Sequence, residues 1–361
     1  MNSKTINAIF AVIAIISILS AAFIYLNNGS QITDLQNQVK TLQDTVTTQQ
    51  TQIATQQAEL DTYKNQTTTP HNITVVDDEG IATTLPTIPQ RIISLAPSNT
   101  QTLFAIGAGD RVVGVTDYDN YPYNFSAWIE AGNMTSIGGF STPNKEVIAS
   151  LNPDLIVATP INDVDVVNLR SLGYKVVVLN PSDVAGVLKD IATLGIATGT
   201  QDNATALIGS INTQITAITS KIAAANITDK PKVYYEIWGP PSGDLMGAGS
   251  TTWVNDVINK AGGINIFGNE TQQYPVISSE TVVQMNPDVI LLPTGMGTGQ
   301  TPFYGSVDQV KARPGWNSIS AVINNRIVVI DENLFAQPGP RVGDQVLEVA
   351  KALYPDLFNS P

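Results

Sequence analysis

A repeated string sets the plan of this chain. Glu146-Val-Ile-Ala-Ser-Leu-Asn152-Pro153-Asp154-Leu-Ile-Val recurs at identical spacing as Glu280-Thr-Val-Val-Gln-Met-Asn286-Pro287-Asp288-Val-Ile-Leu. Each copy reads as a short helix, a stop and a buried strand. Thr142 or Asn144 in the first copy, and Ser278 or Ser279 in the second, can cap the helix by accepting from its free N–H groups. The Glu falls in the first turn, where the helix dipole favours an anion. Asn-Pro ends the helix, because the residue before proline is pushed out of helical geometry. A helix–strand unit repeated at one spacing predicts two α/β lobes of related build.

The surrounding pattern agrees. Short apolar runs at 91–95, 111–115, 154–158 and 175–179 predict strands, and amphipathic stretches at 100–106, 145–151, 164–172 and 184–194 predict helices between them. The series restarts with strands at 232–237, 288–292 and 326–330 and helices at 253–261, 279–285 and 342–353. Such alternation means parallel sheets covered by helices. Between the two series, Ala206, Leu207, Ile211, Ile215, Ile218, Ile222 and Ala223 recur at steps of three and four. They predict one long helix over 201–225, with Asp202 or Asn203 capping its start.

The first seventy residues differ. Residues 8–26 carry only Ser17 and Ser20 as polar residues, and a bilayer core needs about 20 apolar residues in a helix. Lys4 precedes the run and Asp34 follows it, which predicts a single-pass anchor with the N-terminus inside and the rest outside, a cleaved signal peptide being the alternative that the length of the run opposes. Residues 31–70 are rich in Gln and Thr. Setting Ile32 at heptad position a places Val39, Val46, Ile53 and Leu60 at a, and Leu35, Leu42, Gln49, Gln56 and Tyr63 at d, the two Gln weakening the C-terminal half. This pattern predicts a coiled-coil stalk that would pair two copies, ended by Thr67-Thr68-Thr69-Pro70. The expected organisation is therefore an anchor over 1–30, a stalk over 31–70, an N-terminal lobe over 71–200, a linking helix over 201–226 and a C-terminal lobe over 227–361.

Composition excludes several chemistries. The formal net charge is −13, which opposes general nucleic-acid binding. The chain has no Cys, so disulfides, thiolate-bound metals and lipid attachment through a cysteine are excluded, and the transmembrane run stands in for a lipid anchor. One histidine, His71, cannot build a His-rich metal site or a Ser–His–Asp triad. Gly107-Ala-Gly109 lacks the third glycine of a dinucleotide loop, and there is no P-loop. Neither a catalytic constellation nor a resident cofactor or metal is expected.

Several strings carry a resemblance. They are Arg91-Ile-Ile-Ser-Leu-Ala-Pro-Ser-Asn-Thr, Arg111-Val-Val-Gly-Val-Thr-Asp-Tyr-Asp-Asn-Tyr-Pro, and the two Glu…Asn-Pro-Asp copies. Tyr234-Tyr-Glu-Ile-Trp-Gly-Pro, Ala261-Gly-Gly-Ile-Asn-Ile-Phe and Gly339-Pro-Arg341 join them. In order and spacing this set, across about residues 73 to 358, resembles vitamin B12-binding periplasmic proteins. These belong to the wider group of corrinoid and iron-chelate substrate-binding proteins of ABC importers. The resemblance implies two lobes joined by a rigid helix, a small-molecule ligand in the interlobe cleft, and no enzymatic activity. It implies partners too: a dimeric permease with its ATPase subunits, on whose arginines Glu146 and Glu280, one from each lobe, would dock.

The expected ligand is cobalamin or a related corrinoid, with haem or a ferric siderophore as the alternative within the family. A stalked surface protein with a structural or adhesive role is the alternative outside it. Tyr118, Tyr121 and Tyr123 cluster after a strand end, the place where open α/β sheets put ligands. The resemblance adds Ser98 and Asn99 of the first cleft loop, Phe140, Trp238 after a strand, and Phe335 and Arg341 of the last cleft loop. Thr159 and Thr294 follow the two strands of the repeat. Where B12-binding members carry Trp-Phe in the last loop, this chain has Leu334-Phe335.

Overall fold

The computed structural model describes residues 29–66, 72–160, 163–237, 239, 244–293 and 306–358. The chain divides into two compact units, Met1–Pro70 and His71–Pro361.

The described part of the first unit is one helix, α1 (Gly29–Gln66). Threonine is a weak helix former, since its hydroxyl competes for backbone partners and its branched Cβ stiffens the side chain. Here the hydroxyls of Thr41, Thr45, Thr47, Thr48, Thr51 and Thr55 each donate to the carbonyl four residues back, at 2.8 to 3.0 Å. That leaves the methyl groups outward and the helix intact. From residue 33 to 55 the half-buried side chains are Leu35, Val39, Leu42, Val46 and Ile53, and the rest are exposed. These five are the heptad positions read from the sequence. The apolar run at 8–26 lies outside the described residues; among those described, no helix is long and apolar enough to cross a membrane.

The second unit opens with a hairpin that the sequence reading did not foresee. Strand β1 (Ile73–Val76) pairs antiparallel with β2 (Ala82–Leu85). Asp77, in the turn, is buried and ion-paired with Arg170 at 2.6 Å, which ties the hairpin to the lobe behind it.

The N-terminal lobe follows as β3 (Ile92–Ser94), α2 (Pro97–Ala105), β4 (Val112–Val115), β5 (Thr135–Ser136), α3 (Lys145–Ser150), β6 (Leu155–Ala158), α4 (Asp163–Ser171), β7 (Val176–Val178) and α5 (Val184–Thr198). Its five-stranded sheet runs β5-β4-β3-β6-β7, parallel throughout. Strands β3, β6 and β7 are buried at every position, as a sheet covered on both faces requires. Gly199, at φ +67, ends α5 in the left-handed conformation that glycine adopts without a Cβ penalty.

Helix α6 (Gln201–Ala224) then leads into the C-terminal lobe. The cap expected from Asp202 or Asn203 does not form. Thr200 occupies the cap position without a side-chain capping bond, and the Asn203 amide donates instead to the Ile106 carbonyl at 3.0 Å. The pull of an orphan carbonyl at the end of α2 outweighs the local capping preference. The C-terminal lobe comprises β8 (Lys232–Tyr235), α7 (Trp253–Lys260), β9 (Ile264–Asn265), α8 (Ser279–Met285), β10 (Val289–Pro293), β11 (Ile327–Ile330), α9 (Glu332–Phe335) and α10 (Val342–Leu353). Its sheet runs β9-β8-β10-β11, again all parallel.

Helix α6 packs on α5 of one lobe and α10 of the other. One apolar core is continuous through Ile191 and Leu194 of α5, Ile211, Ile215 and Ile218 of α6, Val254 and Val257 of α7, and Val346 and Val349 of α10. Each lobe keeps a second core on the far face of its sheet.

The repeat is wired alike in both lobes. Asn144 caps α3 by accepting from Glu146 and Val147 N–H, and Ser278 caps α8 by accepting from Thr281 N–H. Asn152 and Asn286 both sit in the left-handed region, at φ 45 and 46. The Asp154 carboxylate accepts from Gln90 and Arg91 N–H at 2.7 and 2.9 Å, while Asp288 accepts from Lys232 N–H at 2.8 Å. Each aspartate thus clamps the entry of the neighbouring central strand, β3 or β8. Asp154→Ala orphans two backbone donors and is expected to cost about 1–3 kcal/mol, with Asp288→Ala costing less, as read by urea denaturation. A loss under about 0.5 kcal/mol for Asp154→Ala would show that water replaces the clamp without penalty.

Candidate ligand-binding cavity

The C-terminal ends of β3, β4, β6 and β7 open on one side of the N-terminal sheet and face the C-terminal lobe. Between the lobes lies a cavity of about 470 Å³. That is within the range of small-molecule sites. Strand order fixes its place, because β3 stands where successive connections leave the sheet in opposite directions, and the crevice outside such strand ends is the favoured binding position.

Local bonding shapes each wall. Pro97 starts α2, where its missing N–H is not needed. The Asn99 amide donates to the Ala158 carbonyl at 3.2 Å and draws the start of α2 against the end of β6. After β4, the Asp119 carboxylate accepts from the N–H and hydroxyl of Thr116 at 2.8 and 2.6 Å. Burial pushes this carboxyl up to about 6, against the hydrogen bonds from Thr100 and Thr116 that favour its charge. The tight turn leaves Tyr118 at the surface of the cavity, edge-on to Phe140 with ring centres 5.3 Å apart.

Of the residues singled out from sequence, Ser98, Asn99, Tyr118, Phe140 and Thr159 line this cavity. Tyr121 and Arg341 lie beside it, in a smaller pocket of about 340 Å³ shared with Gln101 and Tyr123. The Arg341 guanidinium stands 4.0 Å from the centre of the Tyr121 ring and donates to Gln101 Oε1 at 3.2 Å. Phe335 is 2% exposed and packs in the core against Tyr235, so its ring fills the lobe instead of the cavity wall. Trp238 and Thr294 lie outside the described residues. Glu146 and Glu280 are exposed, each in the first turn of its helix. The Glu280 carboxyl is held below its ordinary value by its own N–H and the Ser278 hydroxyl.

The opposite wall comes from residues the sequence reading passed over: Trp253 at the start of α7, Gln273 and Tyr274, and Glu332, Asn333 and Gln337 around α9. Burial pushes the Tyr274 hydroxyl up to about 12, so it stays a neutral donor. From the N-terminal side, α5 adds Val187 and Asp190. Asp190 had a legible signal, for it is an acid on an apolar stripe of Val187, Ile191 and Leu194. Among the described residues lining the cavity, none is Lys, Arg or His. Among the described residues no cluster of three metal-ligating side chains occurs.

Polar bonds bridge the two lobes at the rim. Asn120 donates to Asn333 Oδ1 at 2.6 Å, Gln101 donates to Gln337 Oε1, and Arg341 reaches Gln101.

Comparison with known proteins gives the following. A family model described as periplasmic binding protein matches residues 92–334. An uncharacterized ABC transporter substrate-binding lipoprotein of Bacillus subtilis is 30% identical over 291 residues, covering 79% of this chain and 87% of its own. A cobalamin-binding protein of Halobacterium salinarum is 30% identical over 286 residues, covering 78% of this chain and 74% of its own. Among solved structures, a periplasmic heme-binding protein from Roseiflexus sp. RS-1 in its apo form is 26% identical with a TM-score of 0.62, covering 74% of this chain and 99% of that one.

Proposed function

This chain belongs to the periplasmic binding protein family, and we propose that it captures a corrinoid, cobalamin or a close relative, outside the cell and delivers it to an importer. At the coarser level it is the substrate-binding component of an ABC importer for B12 or for haem and iron chelates, a transport part and not an enzyme.

The observation that carries the corrinoid reading is the character of the cavity wall. It combines aromatic rings (Tyr118, Phe140, Trp253, Tyr274), neutral amides and two acids with no cationic side chain among its described residues. Aromatic faces suit the apolar edge of a macrocycle. Acids and amide carbonyls suit the carboxamides of a corrin, whereas the paired carboxylates of haem or the charge of a catecholate chelate call for cations. The Halobacterium relative, named a cobalamin-binding protein, agrees with this. A corrin with its side chains exceeds a cavity of this size, so uptake requires the rim bonds to part.

Haem is the second reading. It is favoured by the heme-binding neighbour and by Tyr118, whose phenol stands exposed at the cavity and is a ligand type for ferric iron.

The remaining architecture fits delivery at a membrane. Residues 8–26 serve as the tether, and α1 is the stalk, self-pairing through its heptad seam. Lobes over 71–200 and 227–361, joined over 201–226, hold the ligand. Glu146 and Glu280, exposed on equivalent helices, are the contacts to the two permease subunits.

Calorimetric titration of the full chain in detergent tests the ligand, with cyanocobalamin, cobinamide, haemin and a ferric hydroxamate in parallel. Saturable one-to-one binding of both corrinoids is expected, weakened about 10- to 100-fold by Tyr118→Ala. Binding of haemin with silence to both corrinoids overturns the reading in favour of haem. Silence to all four moves the stalked structural role ahead.

A further inference from the structure

Two kinds of contact hold the lobes together. One is the apolar core shared by α5, α6, α7 and α10, which cannot part without exposing Ile191, Ile215, Val257 and Val346 to water. The other is a polar seam between α2 and the turn after β4 on the N-terminal lobe and residues 333–341 on the C-terminal lobe. Asn120 donates to Asn333 Oδ1 at 2.6 Å, and Gln101 donates to Gln337 Oε1. Arg341 donates to Gln101 Oε1 at 3.2 Å, while its guanidinium lies 4.0 Å from the centre of the Tyr121 ring. The backbones also meet there: a Cβ at Gly339 would stand 3.8 Å from Ser98 Cα and 3.9 Å from Ser98 Cβ.

Each half of the seam is fixed to its own lobe. On the C-terminal side, buried Gln345 of α10 donates to the Leu334 and Gln337 carbonyls, both at 2.7 Å, and Arg341 donates to the Asn333 carbonyl. On the N-terminal side, Gln101 is 2% exposed on α2, and Asp119 holds the turn that carries Asn120 and Tyr121. The bonds that cross from lobe to lobe are made by neutral amides and by one arginine with an amide partner. Such groups trade their bonds for water at small net cost, whereas the apolar core does not.

We propose that this seam is an interlobe clasp, which closes the empty cleft, parts to admit the ligand and re-forms once it is bound. Gln101 and Arg341 are its positioning residues and do not contact the ligand. The apolar core is the hinge about which the seam parts. The proposal rests on the corrinoid reading, since a ligand larger than the cavity of about 470 Å³ is what forces the seam open.

A clasp made in both the empty and the loaded protein leaves a kinetic signature. The competent open state is a minor population, so weakening the clasp speeds entry by raising that population and speeds exit for the same reason. A lost ligand contact acts mainly on exit.

The experiment is stopped-flow binding of cyanocobalamin to the full chain in detergent. Gln101→Leu and Arg341→Met should each raise the association and dissociation rates together, about 10-fold, with Kd held within about threefold. The chain has no Cys, so Ser98→Cys with Gly339→Cys introduces its only two thiols. Their Cβ separation of 3.9 Å lies inside the roughly 3.5–4.5 Å that a disulfide spans. Diamide is expected to close this bond in the empty protein, as read by thiol titration. Association should then be at least about 100-fold slower in the oxidised form than in the reduced one. Equal association in the two forms, or a bond that does not close in the empty protein, overturns the clasp. Unchanged association in Gln101→Leu overturns it too, and decides the matter where the reduced double variant binds too weakly to compare. Each of these results leaves the corrinoid reading standing. Failure of the unaltered chain to bind cyanocobalamin overturns both.

Discussion

Arg313→Met is expected to destabilise the C-terminal lobe by about 3–5 kcal/mol, the largest single loss foreseen in this protein. The Arg313 guanidinium makes a two-pronged pair with Glu236, Nη1 to Oε2 at 2.6 Å and Nη2 to Oε1 at 2.9 Å. Glu236 is 0% exposed. Nη2 also reaches the Gly239 carbonyl at 3.2 Å, and the guanidinium lies 4.6 Å from the centre of the Trp316 ring. Removing the arginine strands a carboxylate in the interior, next to the Tyr234 hydroxyl, which burial and the Glu236 charge already push well above its ordinary value. The penalty comes from the widowed charge. Arg313→Met combined with Glu236→Gln should therefore recover most of the loss, because no buried charge is then left unpaired. Urea denaturation of the two variants decides it. A single-variant loss below about 1 kcal/mol, or no recovery in the double variant, would show that the pair does not organise the lobe. Gly239→Ala should mimic the single variant, since a Cβ there would meet Glu236 Oε1 at 2.0 Å.

Asp190→Asn is expected to act in the other direction and to stabilise the protein, by about 2–5 kcal/mol at pH 8. The folded carboxyl titrates at about 8 while an unfolded aspartate titrates near its ordinary value of 3.8. Below pH 4 both states carry the proton and the variant gains nothing. Between pH 4 and 8 the folded chain keeps a proton that unfolding releases, so stability falls as pH rises, by about 1.4 kcal/mol for each unit from this group. Asparagine carries no such proton and removes the slope. Asp119, pushed up to about 6, adds a smaller fall over pH 4 to 6 in both proteins and cancels in the difference. Melting curves from pH 4 to 9 test this: the gap between variant and parent should open with pH and level off above 8. A constant gap, or a less stable variant at pH 8, would show that Asp190 is charged and satisfied in the folded protein.

The sequence carried the frame and half of the cavity. Seven strands and the helices between them stand where the apolar runs and periodic stretches put them, and the Asn-Pro-Asp repeat predicted two lobes wired in the same way. The N-terminal wall was legible because it obeys a positional rule. Tyr118 and Thr159 follow strand ends, and strand ends face the crevice, while Ser98 and Asn99 came from the resemblance. The C-terminal wall was not, because it is built from the first residue of α7, a loop at Gln273 and Tyr274, and the short α9. A helix-starting Trp253 is indistinguishable from a core tryptophan until the opposite lobe is in place. Phe335 shows the converse. Its place in a cleft loop marked it for the ligand, yet its ring turns inward to Tyr235. The hairpin β1–β2 was missed because four-residue strands with exposed threonines carry too little alternation to stand out. Asn203 looked like a cap by its own position, but its partner, the Ile106 carbonyl, is a tertiary one.

The core that runs through α5, α6, α7 and α10 has a consequence for how the molecule is made. Helix α10 follows α6 only after both strands and helices of the C-terminal lobe, and Ile211, Ile215 and Ile218 of α6 share one core with its Val346 and Val349. As the chain is made from its N-terminus, α5 is already present to cover one side of the linking helix, while the side that meets α10 stays open until residues 342–353 follow. Until they do, the apolar face of α6 that α10 will cover is open to other apolar surfaces.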